Sequence, residues 1–475
     1  MEQLTIKEIV NAVDGTILCG NESTVISSVI TNSKEVSRGS LFIPIKGVRF
    51  DAHEFIRSAF ENGACATLTE RNEFDSNLGI YIKVKNTREA FQHLAAYYRE
   101  KFNIPIIAVT GSVGKTSTKE MIAAALFKYG RIMKTKGNLN SQLGVPMTIF
   151  QLDKNHDAAV VEMGISEPGE MDRISDVVKP NRAVITNIGI SHIENLKTQE
   201  NILKEKLNIA KYIKSDSGRL YLNGSDAVIR RESGKFYNFL ENLEQNQKFR
   251  RDCVIYYGTD DFCDYKATNI KTVGDKTEFI LKCKQYAGKV VIPCIGVHNV
   301  YNALAAIAIA YDLGLNICEI QEGLLTYKAI AMRQQIYRLK NINLIDDSYN
   351  ASPDSIKSGI DVLMQVKGEN RGIAVLADML ELGKESKKAH FELGVYVAEK
   401  KVDAVITVGE ESKEIVNGIK LKNSNILTKS FSTNEDASDY LKTIIKDSDS
   451  ILIKGSRGMH ADEIVRDLLE AYSWH

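Results

Sequence analysis

The chain has 475 residues, 44% hydrophobic and 26% charged, with 61 basic and 61 acidic side chains. At roughly 150 residues per domain this length predicts about three domains, and the charge balance excludes a global field for nucleic acid or a membrane surface. Seven scattered cysteines without CxxC spacing exclude a disulfide framework or zinc knuckle. With no basic-apolar leader and no apolar run longer than ALAAIAIAY (303–311), they fit a cytoplasmic protein without a membrane span.

Residues 1–102 alternate apolar runs (SLFIPI, ATLTE, IYIKV) with helix-like segments such as REAFQHLAAYYREKF, the pattern of a small α/β domain. Over 103–328 the runs IIAV, AAVVEM and RAVITNI read as buried strands, each ending in a polar or glycine-containing turn. With helices between them they predict a central domain built on a mostly parallel sheet. The polar stretch 233–252 precedes β-like CVIYYG, EFILKCK and KVVIPC and reads as an elaboration of that domain. Over 329–475, INLIDDS, IAVLADM, AVITVGE and SILIKGS resume strand and turn alternation. This predicts a doubly wound, Rossmann-like third domain with ligands at the carboxyl ends of its strands.

The stretch IIAVTGSVGKTSTKEM (106–121) runs from strand through glycine turn to helix. Gly111 and Gly114 can take positive φ so that the amides of Thr110 to Ser117 converge on a polyphosphate; Lys115 would reach the β/γ-phosphates and Thr116 would ligate Mg²⁺. The strict phosphate-loop pattern is broken by Val109, where a glycine would stand. Glu162, at the mouth of a neighbouring strand, is a candidate magnesium ligand. His192 is either a second metal ligand or a surface histidine. Asn138, in GNLNSQLGVP, either donates to phosphate or shapes a turn. His298, Asn299 and Asn302, in GVHNVYNALAA, either cap a helix or meet a base. In the third domain DDSYNASPDS, DMLELGKES and KGSRGMH follow apolar strands and would open on one crevice. Asp346 and Asp347 there would bind ribose or magnesium, or cap a turn, and KGSRG suits a carboxylate or phosphate unless it is a solvated loop.

Taken together, TGSVGKTS, GNLNSQLGVP, the glutamate of VVEMG, the histidine of ISHIEN, GVHNVYNA and an arginine before the last domain resemble the Mur ligase family, the ATP-dependent amide ligases of peptidoglycan precursor synthesis. The resemblance covers almost the whole chain. It accounts for Val109, because the family uses a shortened TGxxGKT loop, while Val113 stands where many members carry asparagine. DDSYNASPDS, LADMLELG and KGSRGMH are most similar to the members that add D-alanyl-D-alanine to UDP-N-acetylmuramoyl-tripeptide. The resemblance therefore implies those two substrates, ATP, two Mg²⁺ ions and a monomer. In the first domain TNSKEVSRGSLFIPIKGVRFDAHEF is similar to the family's uridine-nucleotide segment. It implies UDP contacts from Asn32, Ser33, Lys34, Lys46, Asp51 and His53, with Asn32 and Lys34 replacing the usual acid and arginine.

NILKEKLNIA is similar to the segment that bears the family's carbamylated lysine. It implies a carbamate, formed from CO₂, on Lys206, with Lys204 the alternative and Asn208 in place of the usual acid. The implied catalytic set is Lys115, Glu162, His192 and Lys206. Thr116 and Glu162 would hold one metal, and His192, Glu162 and Lys206 the other. Asn138 would face the γ-phosphate, His298, Asn299 and Asn302 the adenine side, and Arg333 and Asp347 the nucleotide from the third domain. Asn350, Ser352, Lys454, Ser456 and Arg457 are the candidates for the incoming dipeptide. Two other readings stay open: another Mur or folylpolyglutamate-synthase-like ligase, and a nucleotide-switched binding protein that forms no amide.

Overall fold

The computed structural model describes residues 1–47, 50–213, 217–232, 251–284, 286–422 and 425–472. Residues 233–250, most of the stretch read as an elaboration, lie outside them. Three larger sheets carry the chain in α/β fashion, as the strand and helix alternation predicts. In the first, Ser28–Ile30, Ser40–Phe42, Ala64–Thr69 and Ile80–Lys83 run parallel, and Thr16–Cys19 closes the edge antiparallel. The helix Thr87–Glu100, capped by the Asn86 side chain, leaves this unit and packs on the next. Its Tyr98 hydroxyl donates to the Leu152 carbonyl at 2.6 Å, its Arg99 Nε donates to the Val178 carbonyl at 2.8 Å, and Phe91 stacks on Phe150. The first unit and one face of the central sheet therefore share a continuous apolar core.

In the central sheet, Ile132–Lys134, Ala158–Glu162, Ile106–Thr110, Arg182–Ile185, Arg219–Asn223, Val254–Gly258 and Tyr265–Val273 are parallel neighbours. Lys276–Cys283 and Tyr286–Ile292 add an antiparallel edge. Ile106–Thr110 is buried throughout because both faces are covered: Ile106 and Ala108 enter one core, Ile107 and Val109 the other. The second core is roofed by the helices Lys115–Ala125 and Val297–Asp312.

The third sheet repeats this design. Asn343–Asp346, Ser450–Lys454, Gly372–Ala377, Ala404–Val408 and Leu427–Phe431 are parallel, with Gln335–Arg338 antiparallel at the edge. Ala374 and Leu376 face one core, Ile373 and Val375 the opposite one, so helices cover both sides as in a doubly wound fold. Among the described residues no helix is long and apolar enough to cross a membrane.

Candidate active site

A cleft of about 850 Å³ opens between the central and third units, where the carboxyl ends of their strands face each other. Its central wall is the loop between Ile106–Thr110 and Lys115–Ala125. Gly111 and Gly114 have φ of 151° and 85°. A Cβ on Gly111 would stand 1.8 Å from Thr186 Oγ1, so both the turn and the crowding require glycine there. The loop is braced from the neighbouring strand end: Val113 N–H donates to Asn187 Oδ1 at 2.8 Å, and Thr186 Oγ1 donates to the Val113 carbonyl at 2.5 Å. These contacts use the Val113 backbone, so the loop keeps its shape without an asparagine side chain at that position.

Lys115 lies deep in the cleft, crowded by protein yet reached by solvent, and its Nζ donates to the Gly111 carbonyl at 2.8 Å. Burial lowers its pKa; Glu162 opposes that shift, and Arg333 adds to it. Glu162 ends the strand beside the loop, paired in register with Val109. Its Oε1 accepts from Thr116 Oγ1 at 3.2 Å and from Asn140 Nδ2 at 2.7 Å. Its Oε2 is buried without a hydrogen bond, 3.6 Å from Lys119 Nζ. Lys206 is buried. Burial holds its pKa well below the usual lysine value, and the charge of Lys115 pushes the same way, so the amine is biased toward its neutral form. His192, in a left-handed turn with φ of 61°, feels both Lys115 and Lys206. Burial lowers its pKa against the opposing pull of Glu381.

Beside the glycine cradle, a buried carboxylate oxygen that accepts no hydrogen bond and has only the more distant Lys119 ammonium fits a phosphate-bound cation. Among the described residues no three His, Cys, Asp or Glu side chains form a metal cage by themselves, so substrate oxygens would complete the shell, as is usual for Mg²⁺.

The opposite wall comes from the third unit and the segment leading into it. The Arg333 guanidinium stacks over the Tyr349 ring at 4.1 Å, and His298 Nε2 lies 2.6 Å from Gln334 Oε1. Burial lowers the His298 pKa. Lys454 Nζ donates to Asp347 Oδ2 at 2.6 Å and to the Asn350 carbonyl at 3.0 Å, while Ser352 Oγ is buried without a partner. The helix-cap reading of the GVHN segment is not met: Asn299 Nδ2 donates to the Ile295 carbonyl at 2.8 Å, and Asn302 Oδ1 accepts from Thr118 Oγ1 at 2.9 Å. Asp346 does bind its own turn, accepting from the Ser348 amide and hydroxyl.

The cleft thus gathers Ser112, Val113, Gly114, Lys115, Thr116, Ser117, Asn138, Glu162, His192, His298, Asn299, Asn302, Arg333, Asp347, Asn350, Ser352 and Lys454. Thr110, Gly111 and Lys206 lie behind its surface. Ser456 and Arg457 do not line it: Ser456 Oγ accepts from Leu380 N–H at 2.9 Å, and Arg457 pairs with Asp462. The first-unit candidates are also elsewhere. Asn32 caps its own turn by accepting from Lys34 N–H, and Ser33 accepts from Asn62 through its carbonyl. Buried His53 has both ring nitrogens engaged, Nδ1 2.6 Å from Asp51 Oδ1 and Nε2 accepting from Glu70 N–H. Burial would raise the Asp51 pKa, but hydrogen bonds from His53 and Arg71 hold it low. Lys34 and Lys46 are exposed. Asn140 is the second asparagine of GNLNSQLGVP, whereas Thr186, Asn187, Lys119 and Gln334 went unread in the sequence and carried no local signal there.

Three family models match in chain order: the "Mur ligase family, catalytic domain" over residues 25–99, the "Mur ligase middle domain" over 109–310 and the "Mur ligase, glutamate ligase domain" over 332–457. A UDP-N-acetylmuramoyl-tripeptide--D-alanyl-D-alanine ligase of Bacillus subtilis is 35% identical over 99% of both chains. The chain belongs to the Mur ligase family. Among solved structures of this family, MurF from Acinetobacter baumannii superposes with a TM-score of 0.89 at 31% identity over 99% of both chains. MurF from Thermotoga maritima in complex with ADP gives 0.80 at 27% identity, covering 92% of this chain and 96% of its own. The match to the middle domain begins at Val109, so the loop that lines the cleft lies within it.

Proposed function

We propose that this chain is the Mur ligase that joins D-alanyl-D-alanine to UDP-N-acetylmuramoyl-tripeptide at the cost of ATP. The observation that carries the reading is the meeting, across one cleft, of the phosphate loop with the DDSYNAS loop and Lys454 of the third unit. A relative that is 35% identical throughout carries the corresponding name. Residues 1–102 would hold the UDP-sugar peptide, 103–328 the ATP, and 329–475 the dipeptide while closing on the nucleotide.

An amide does not form from a free carboxylate because oxide is a poor leaving group. Transfer of the γ-phosphoryl group of ATP to the terminal carboxylate of the tripeptide gives an acyl phosphate and ADP. The dipeptide amine then attacks the acyl carbon, a tetrahedral oxyanion forms, and phosphate leaves with the carboxylate oxygen. Each step concentrates negative charge, so positioned cations do most of the work. Lys115, now held on the Gly111 carbonyl, swings onto the transferring phosphoryl group, and the loop amides cradle the β-phosphate. Thr116, Glu162, His192 and a carbamate on Lys206 would hold two Mg²⁺ ions. When bound, these supply electrostatic stabilisation of the phosphoryl oxygens. A neutral, buried amine at Lys206 favours reaction with CO₂, whereas an ammonium there would repel the cation. Arg333 and Asp347 would meet the nucleotide on closure, which excludes water that would hydrolyse the acyl phosphate. Phosphate release that requires both UDP-N-acetylmuramoyl-tripeptide and D-alanyl-D-alanine, with the pentapeptide product seen by mass, is the expected result. ATP hydrolysis indifferent to both substrates would refute the reading.

A further inference from the structure

The third unit also reaches the central unit at His192, on the same cleft as the nucleotide loop. His192 Nδ1 lies 2.7 Å from Glu381 Oε2, in an ion-pair contact not aligned as a hydrogen bond. Both residues stand in left-handed turns, with φ of 61° and 63°, an uncommon backbone for either side chain. The two loops approach closely enough that a Cβ on Gly383 would stand 3.2 Å from Glu194 Cγ. The Glu381 loop is itself held: Met379 N–H donates to His390 Nε2 at 3.0 Å, and Leu380 N–H donates to Ser456 Oγ. The His192 side chain is 26% exposed and that of Glu381 64%, and so open an ion pair adds little to fold stability. What the contact does is orient a ring. At 2.7 Å the carboxylate charge favours a proton on Nδ1, which leaves the Nε2 lone pair free, as on a metal-ligating histidine.

We infer that Glu381 is a positioning residue supplied by the third domain, which aims His192 at the divalent cation so that the metal site is complete only while the two domains hold this contact. This rests on the assignment of His192 to the metal site. By linkage, cation binding and this contact then favour each other.

The test uses the full-length protein with a non-hydrolysable ATP analogue and Mn²⁺ as the probe, its affinity read by electron paramagnetic resonance. Glu381→Ala is expected to weaken Mn²⁺ binding by roughly 10–100-fold, with Glu381→Gln restoring part of the loss and the KM for D-alanyl-D-alanine staying within about twofold. In a His192→Ala background, Glu381→Ala should cause no further loss. Unchanged Mn²⁺ affinity in Glu381→Ala, with His192→Ala weakened, would overturn the inference and leave the metal assignment standing. A raised dipeptide KM with unchanged Mn²⁺ affinity would overturn it too, assigning the carboxylate to the incoming ammonium. Unchanged affinity in His192→Ala would remove His192 from the metal site, and the inference with it.

Discussion

In the cleft, buried oxygens are left short of hydrogen bonds: Glu162 Oε2 and Ser352 Oγ make none. In the first unit, the residues that the uridine-segment resemblance singles out are already engaged by their own fold, His53 through both ring nitrogens and Asp51 through His53 and Arg71. Buried polar groups are normally satisfied, so unspent hydrogen-bonding capacity in a cavity marks a place prepared for a ligand. A motif by itself does not separate the two cases.

The contrast is sharpest at Lys115. Lys115→Ala should lower kcat by roughly 10²–10³-fold with the fold intact, checked by ligation rate and circular dichroism. A smaller loss would mean that the cradle amides carry most of the charge. Next comes Lys206→Met, expected to cost about 10–100-fold in activity while raising stability in CO₂-free buffer by about 0.5–2 kcal/mol. The folded-state pKa of Lys206 is depressed, so between the unfolded value near ~10.4 and that depressed value the unfolded chain binds the extra proton. Wild-type stability therefore falls as pH drops through that window, and the advantage of the Met variant grows in the same direction, measurable by denaturant titration across pH.

The first unit should behave in the opposite sense. His53→Ala is expected to cost about 1–3 kcal/mol of stability, because it removes a buried ring and leaves the Glu70 amide without its acceptor, with little change in the KM for the UDP substrate in the folded fraction. A raised KM without destabilisation would break the comparison. The smallest effect is Lys46→Ala: an exposed side chain whose loss should change stability by no more than about 0.5 kcal/mol, so any rise in the KM for the UDP substrate there reports contact directly.

What the sequence made legible was local chemistry. Strand, glycine turn and helix over 106–121 announce a phosphate cradle because each residue type answers a local backbone demand, and the alternation in 343–454 announces a sheet covered on both faces. What it hid was juxtaposition. Thr186 and Asn187 brace the Val113 backbone from more than seventy residues away, and Asn140 and Lys119 surround Glu162 from two other segments. Ser456 has the composition of a ligand-binding residue, yet its hydroxyl accepts from the Leu380 amide and does not line the cleft. His53 has the position of a uridine contact, yet the histidine serves its own turn. In each case the residue type was visible, whereas the direction of its hydrogen bonds was set by chain packing.

The central claim is that the cleft activates a carboxylate by phosphoryl transfer. It is tested most directly with tripeptide substrate labelled with heavy oxygen in its terminal carboxylate. The account predicts that one labelled oxygen per turnover appears in inorganic phosphate. Amide product formed with phosphate free of label, the lost oxygen appearing in water or in AMP instead, would contradict it.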